Sequence, residues 1–248
     1  MVVFATLGAP ERRRLAALRK QREAPPRPEP TPVATGRATV IDVGQALADD
    51  TQARSWLQAA GEPELADGLG VLNRALQAFR LVTADPYLHT VSRRQAIVAR
   101  VGFGAGEQVA DGLWTDAREL HHQEGRQRRS RILAPQARLA AVLGAREFPL
   151  ASEELALRAR QDIDHGRHRE AALQVLVALD AVLAELARDP HARSLGERLT
   201  ELREQREPVA AAAQAALGGP ITESARETVA FTLHRIESAL RARAAANA

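Results

Sequence analysis

The residues best suited to metal chemistry lie around one predicted helical turn. Asp162, Asp164, His165 and His168 fall within seven positions, and histidine–carboxylate sets of this kind bind divalent metals. Asp162 and Asp164, however, are two apart on a helix, so their side chains point to different sides. We therefore expect charged residues in a solvent-exposed turn and no metal site.

Two further patterns point toward a bound ion or cofactor, and each lacks a required part. Glu119 and His122 have the ExxH spacing of di-iron helix bundles, but the chain contains no second ExxH to complete such a site. The stretch 102–107, GFGAGE, is glycine-rich like a phosphate-binding loop. It lacks the third glycine of the dinucleotide fingerprint, and Glu107 would repel phosphate. We predict a tight turn or hairpin there and expect no cofactor.

The residue inventory excludes several kinds of catalysis. The chain has no cysteine, which rules out thiolate nucleophiles and disulfides. Lys20 is its single lysine, which argues against a Schiff-base mechanism. The residues of a Ser-His-Asp triad come together only in the folded protein, so their spacing in the sequence does not identify them. The chain has no G-x-S-x-G motif that would mark a nucleophilic serine. An enzyme with an unmarked site stays open, and it would place His89, Glu107 or Asp111 in a deep pocket.

Basic residues form two clusters, and these are the candidate binding residues of the chain. One precedes a linker with five prolines between Pro25 and Pro32, and the other surrounds Gly125. One interpretation is a solvated tail; the other is contact with nucleic acid phosphates or another acidic surface. The candidate residues are Arg12, Arg13, Arg14, Arg19, Lys20, Arg22, Arg126, Arg128, Arg129 and Arg131.

Hydrophobic spacing predicts helices along most of the chain. A helix over 49–60 has Trp56 and Leu57 as anchors, and the next one ends at Asp85-Pro86. That second helix is predicted to bury Leu65, Leu69, Leu72, Leu76 and Phe79. A short helix over 86–95 and another over 136–143, with Leu139, Val142 and Leu143 inward, complete this region. The β-prone stretches 37–43 and 97–110, the latter with Ile97, Val98, Val101 and Phe103, predict a small sheet.

The strongest structural signal is a helical hairpin over 153–188. Leu155, Ala159 and Ile163 share one stripe of its first helix, and Gly166 suits the turn. The second helix repeats apolar residues at helical spacing: Ala172, Val175, Leu176, Leu179, Val182, Leu183 and Leu186. Farther on, the sequence predicts a thin stripe of Leu195, Leu199 and Leu202. The last helix is expected to bury Val229, Leu233, Ile236 and Leu240, with Phe231 off that face.

This hairpin resembles one unit of the tetratricopeptide family. The small residues and the turn glycine of that family match Ala159, Gly166, Ala171 and the pair Ala178-Leu179. The expected aromatic residues and the following proline are missing, and no second copy is present. The resemblance covers about 34 residues, the length of one unit. It implies a peptide- or protein-binding role.

Composition and patterning together predict a mainly α fold. Hydrophobic residues make up 45% and aromatics 3%, so the core is expected to consist of Leu, Val and Ala on packed helices. We predict a helical bundle with a C-terminal hairpin region and a small β element. The expected divisions are a flexible basic arm at 1–35, an α-rich domain at 36–148 and a helical domain at 149–248. No apolar run is long enough to span a membrane, and we expect a cytoplasmic protein.

Three classes of function follow from these features. The first is a non-enzymatic helical interaction or scaffold protein, whose partner is another protein or a second copy. The second is a nucleic-acid-associated protein that uses the two basic clusters. The third is an enzyme with an unmarked site. The placement of the arginines separates the first two, and a deep polar pocket would favour the third.

Overall fold

The computed structural model describes residues 1–7, 34–44, 46–121, 136, 138–189 and 195–246. The predicted fold class is confirmed: the chain is mainly helical, with two small antiparallel sheets of two strands each in the described residues. It divides into two compact units, Met1–Glu124 (unit 1) and Gly125–Ala248 (unit 2). Among the described helices, none combines the length and hydropathy that a bilayer span requires.

The first sheet of unit 1 joins the start of the chain to the predicted strand near 37–43. Strand β1, Val2–Leu7, pairs antiparallel with β2, Thr35–Val40, from Val2 opposite Val40 to Leu7 opposite Thr35. The first seven residues therefore correct the expectation of an unpacked arm over 1–35. Their apolar, β-branched sequence suits a strand, but its partner lies far along the chain, where local patterning gives no sign of it.

The second sheet of unit 1 is separate from the first. Strand β3, Arg100–Phe103, pairs antiparallel with β4, Asp116–Glu119, so the stretches 37–43 and 97–110 contribute to different sheets. Val101 is buried, whereas Ile97 and Val98 precede the strand and are exposed, which corrects their predicted place in it. A Cβ on Gly102 would lie 2.7 Å from the Asp116 carbonyl oxygen, so this close pairing requires glycine.

Helices α1 and α2 of unit 1 begin at well-defined caps. In α1, Asp50–Ala59, the Asp49 carboxylate accepts a hydrogen bond from the Gln52 amide at 2.8 Å. In α2, Glu62–Thr83, Glu64 reaches back to the Gly61 amide at 2.6 Å. The helix predicted over 86–95 is absent; within that range the structure forms one 3₁₀ turn, Arg93–Gln95.

The core of unit 1 is small. Leu57, Ala60, Val101 and Leu120 form its buried cluster, and Trp56, Leu65 and Phe103 pack partly against it. The buried Asn73 side chain of α2 binds the next segment: its amide donates to the Val91 carbonyl at 2.9 Å, and its oxygen accepts from the Val91 amide at 2.8 Å. The buried amide group of Asn73 is therefore hydrogen-bonded through both its nitrogen and its oxygen, and these bonds position residue 91 against α2.

Unit 2 contains the predicted hairpin. Helix α3, Ala151–Asp164, and helix α4, His168–Leu186, are joined at Gly166, whose φ of 70° lies in the left-handed region. Ala159 and Leu179 are fully buried, and Leu176 packs partly buried against the same core. The hairpin and its apolar stripes are as predicted from the sequence.

Three more helices complete unit 2. They are α5, Gly196–Glu204, α6, Arg206–Gly218, and α7, Glu223–Ala246. Val229, Leu233 and Ile236 of α7 are buried and Phe231 is half exposed, which confirms the predicted face of the last helix. The predicted stripe Leu195, Leu199 and Leu202 is also buried.

The start of unit 2 differs from the prediction in its packing. Residues 138–143 are helical, but Leu139 and Leu143 are exposed and not inward as expected. The Arg138 guanidinium instead ties this segment to α3, with Nε 2.9 Å from Glu147 Oε1 and Nη2 2.7 Å from Glu153 Oε1. These ion pairs attach residues 138–147 to α3 and so to unit 2, which begins at Gly125, whereas the sequence placed the division at 148/149.

A distant carboxylate caps the N-terminus of α3. Glu185, at the end of α4, accepts hydrogen bonds from the Ala151 amide at 2.9 Å and from the Ser152 amide at 3.1 Å. The first turn of a helix has amides without intrahelical partners, and a carboxylate there also interacts favourably with the helix dipole. The contact holds the two ends of the hairpin together.

Candidate functional site

Helix α2 carries two apolar stripes, and only one of them faces the core of unit 1. The core-facing stripe consists of Leu65, Leu69, Leu72 and Leu76. The second, which we call the outer stripe, consists of Val71, Ala75, Ala78 and Val82 at spacings of four, three and four. Sequence reasoning assigned the first stripe and missed the second.

The outer stripe becomes exposed toward the end of the helix. At the start of α2, Gly68 lies close to Val40 of β2, so the first sheet covers this side of the helix there. Val71 and Ala75 are partly buried, Ala78 is exposed, and Val82 is 86% exposed. Phe79, predicted to be buried, is 59% exposed, because the core-facing stripe is also left uncovered at the last turn of the helix.

A helix that is apolar on several sides normally lies inside a protein. Leu81 lies opposite the core-facing stripe and is also exposed, as are Tyr87 and Ile97 in the segment that follows α2. Single exposed apolar side chains are ordinary, whereas a continuous group marks an interaction surface. We call the exposed part of α2, formed by Ala78, Phe79, Leu81 and Val82, the α2 surface.

The charge beside the α2 surface is positive. Arg74 is exposed and lies one turn before Ala78 on the same side of the helix, whereas Arg80 is half-buried and lies one turn after Leu76, on the core-facing side. Neither guanidinium group forms an ion pair or hydrogen bond with the residues that the structure describes. The helix contains no carboxylate after Asp67, and the next acidic residue is Asp85, beyond its end.

Unit 2 contains a shallow cleft between the hairpin turn and the start of α7. Its volume is about 210 Å³, and its apolar part is formed by Ile163, Ile221, Val229 and Ala230. His168, Glu223, Arg226 and Glu227 also line it, and Arg226 Nη1 lies 3.2 Å from Glu223 Oε2. Small-molecule sites usually measure roughly 300–1,000 Å³, so this cleft is small for a substrate pocket.

Two of the acidic and histidine residues near the hairpin turn have other hydrogen-bond partners. Asp162 pairs with Arg167 at 2.7 Å, and His165 Nδ1 contacts the Gln161 carbonyl at 2.7 Å. Burial raises the pKa of Asp162, and the hydrogen bond from Arg167 opposes that rise. In the described part of the chain, no three His, Asp or Glu residues are grouped as metal ligands.

The glycine-rich stretch serves close packing. A Cβ on Gly104 would lie 2.7 Å from Val109 Cγ2, and Gly106 has a φ of 74° ahead of a three-residue 3₁₀ turn. Glu107 and Asp111 in this loop are exposed, as is His89. These three candidate residues of an enzyme are therefore surface groups, and the predicted turn accounts for the glycines.

The remaining candidate residues lie largely outside the described structure. His122 of the ExxH pair is among them, while Glu119 pairs with Arg100 at 3.6 Å. All ten basic residues named from the sequence also lie outside: Arg12, Arg13, Arg14, Arg19, Lys20, Arg22, Arg126, Arg128, Arg129 and Arg131. Their role in nucleic-acid binding stays a prediction.

Comparisons with protein-family models, with curated proteins and with solved structures found no significant match. The resemblance of the 153–188 hairpin to a tetratricopeptide unit therefore stays a resemblance of one hairpin. Function has to be inferred from the surfaces of this chain alone.

A sequence signal for the α2 surface did exist, since residues 68–84 combine apolar residues on all sides of a helix with no carboxylate.

Proposed function

We propose that this chain is a non-enzymatic helical interaction protein that binds another protein through the α2 surface. The observation that carries the proposal is the exposed end of the outer stripe, with Phe79 and Val82 largely in solvent on a helix that is apolar on several sides. Covering such side chains removes apolar area from water, which favours association.

The other two classes have weaker support in the described residues. The nucleic-acid class depends on basic clusters that lie outside the described structure, and the α2 surface offers a single ring, that of Phe79, for base stacking. The enzyme class would gain from a deep polar pocket, whereas the cleft in unit 2 is small and its Glu223 and Arg226 are paired.

Site-specific photo-crosslinking tests this proposal in the full-length chain. A benzoyl-phenylalanine at position 82, in the native cells, is expected to give one reproducible protein adduct, which mass spectrometry identifies. The matched control position is Val177 of α4, another exposed helical valine, 54% exposed, in unit 2. Position 177 is expected to give no such adduct.

Binding of the identified protein, once purified, then provides the quantitative test. Val82→Asp is expected to weaken it at least about tenfold, because a carboxylate replaces an apolar contact at the surface. Val177→Asp is expected to leave it unchanged. Equal adducts at both positions, or unchanged binding with Val82→Asp, would overturn the proposal. Adducts with nucleic acid or with a second copy would replace it with those functions.

A further inference from the structure

The hydrogen bonds between β1 and β2 leave one edge of β1 free. The Met1 ammonium donates to the Ile41 carbonyl at 2.7 Å, and the Ile41 amide donates to the Met1 carbonyl at 2.8 Å. Hydrogen-bonded pairs alternate along an antiparallel ladder, and the register of these two strands is uninterrupted. The residues of β1 that bond to β2 are therefore Val3, Ala5 and Leu7. The backbone N–H and C=O groups that point away from β2 are those of Val2, Phe4 and Thr6.

We call the row of backbone groups of Val2, Phe4 and Thr6 the β1 edge. None of these groups has a hydrogen-bond partner among the residues that the structure describes. Natural edge strands avoid pairing with other chains through charged side chains, prolines or bulges. The six residues of β1, VVFATL, contain no charge and no proline, and the register shows no bulge. Most of them are β-branched or aromatic, which favours pairing with another strand.

We infer that the β1 edge pairs antiparallel with β1 of a second copy of this chain. This inference goes beyond the proposed function and concerns a surface other than the α2 surface. A row of N–H and C=O groups is satisfied by an extended chain, and a second copy brings the same free row with the same spacing. The pairing is isologous, so one twofold axis relates the two copies and the association closes as a dimer.

One register uses the whole β1 edge. With Phe4 opposite Phe4 of the second copy, Val2 lies opposite Thr6, and the three pairs exchange two hydrogen bonds each, about six in all. A shift of two residues loses one pair. Phe4 is 58% exposed, and in this register its ring lies beside that of its symmetry mate, an aromatic pair that stabilises paired strands. No like charges meet, because β1 carries no charged side chain.

Strand β2 is the weaker candidate for self-pairing. By the same alternation, the backbone groups of Gly36, Ala38 and Val40 point away from β1. The strand contains Gly36, which weakens pairing, and Arg37, a charge of the kind that protects natural edges. The β2 edge therefore supplies a matched control for the β1 edge.

Sedimentation equilibrium of the full-length chain, with any tag at its C-terminus, tests for the dimer. A strand edge buries less area than a standard interface, so the association is expected to be weak. Between about 5 and 500 μM protein, the weight-average mass is expected to rise from that of one 26.8 kDa chain toward twice that value. A mass of one chain over the whole range would overturn the inference.

Proline substitutions locate the edge. Phe4→Pro removes the central outward N–H of β1 without removing a hydrogen bond to β2, and is expected to raise the dimer Kd at least about tenfold. Ala38→Pro makes the same backbone change on the opposite edge of the sheet and is expected to leave the Kd unchanged. A dimer weakened only by Ala38→Pro, or by neither variant, would overturn the assignment to β1.

Cysteine crosslinking tests the register and needs no disruptive substitution, because the chain has no cysteine of its own. A mixture of the Val2→Cys and Thr6→Cys variants, one of them tagged, is expected to form a disulfide between the two variants on mild oxidation, since the paired Cα atoms lie about 5.5 Å apart. Each variant alone is expected to form at least about fivefold less dimer, because identical positions lie four residues, roughly 13 Å, apart along the strands.

The crosslinking result also decides the case if Phe4→Pro fails to fold. Disulfides that form as readily in either variant alone as in the mixture would overturn the antiparallel register. A disulfide between the two variants that disappears in the mixture when Phe4→Pro is added to both would support it. Photo-crosslinking at position 82 tests the α2 surface separately, so either claim can fail without the other.

Discussion

At the residue scale, Leu176 and Leu179 show how unequal burial sets the cost of a substitution. Both were predicted to be core residues of the hairpin. Leu179 is fully buried, whereas Leu176 is partly exposed at the edge of the same cluster. The free energy lost on truncation combines the apolar area returned to water with the cavity left behind, and both are larger for the enclosed side chain.

We therefore expect Leu179→Ala to lower the free energy of unfolding by about 2–5 kcal/mol. Leu176→Ala is expected to lower it by about half as much, since neighbouring side chains and water fill part of the space. Denaturant unfolding followed by circular dichroism measures both. Equal losses, or a larger loss at Leu176, would contradict the packing of α4.

Asp162 gives a prediction about pH. Burial raises its pKa, and the hydrogen bond and charge of Arg167 oppose that rise. Because the folded-state pKa lies above the unfolded value, the folded chain binds this proton more tightly. The contribution of Asp162 to stability is present below the unfolded pKa and is lost as the pH rises through the folded pKa.

We expect NMR titration of the Asp162 carboxyl carbon to give a midpoint above the range usual for aspartate. Arg167→Met is expected to raise that midpoint further, because it removes the hydrogen bond and charge that favour the ionised form. Arg206→Met breaks the exposed pair with Asp180 and is expected to leave the Asp162 midpoint unchanged. A midpoint that falls in the Arg167 variant would contradict this account.

At the element scale, α3 depends on a cap from another helix. Glu185→Gln keeps the shape of the side chain but weakens its acceptance from the Ala151 and Ser152 amides. We expect a loss of about 0.5–2 kcal/mol, the range for helix caps, and faster hydrogen exchange at those two amides. Glu154→Gln, at an exposed pair with Arg158 on the same helix, is expected to change stability by less than about 0.5 kcal/mol.

The pairing of β3 with β4 depends on one glycine. A Cβ at Gly102 would meet the Asp116 carbonyl oxygen and the Ala117 side chain within 2.8 Å, while one at Gly36 of β2 would meet nothing within 4 Å. Gly102→Ala is expected to cost about 1–3 kcal/mol, and Gly36→Ala about 0.5 kcal/mol or less in either direction. Thermal unfolding of the two variants, which carry the same chemical change, makes the comparison. Equal shifts would contradict the close contact.

At the scale of the whole molecule, the two units differ in the size of their cores. Unit 2 buries a large cluster drawn from five helices, whereas the buried cluster described in unit 1 is small. We expect calorimetry to resolve two transitions, with unit 1 unfolding first. Gly102→Ala is expected to lower only the first transition and Leu179→Ala only the second, each by several degrees. One transition that both variants shift would show that the units unfold together.

The sequence was informative where structure is local. The hairpin and the buried face of α7 follow from apolar spacing, since a helix of that length needs no distant partner to reveal its pattern. β1 was missed because a strand depends on a partner far along the chain. Leu139 and Phe79 were misplaced because spacing identifies an apolar face without showing what covers it. The α2 surface was missed for the same reason. The spacing of the leucines identified the core-facing stripe of α2, and the second apolar stripe was not recognised.

The aromatic residues of unit 1 bear on how this protein is best followed in solution. Both tryptophans, Trp56 and Trp114, and the single tyrosine, Tyr87, belong to unit 1. Intrinsic fluorescence therefore reports on unit 1 alone, and unit 2 emits no tryptophan or tyrosine light. Far-ultraviolet dichroism, in contrast, is dominated by the long helices of unit 2. A melt recorded by emission is then blind to loss of the hairpin, and an unchanged emission spectrum is no evidence that the whole chain is folded.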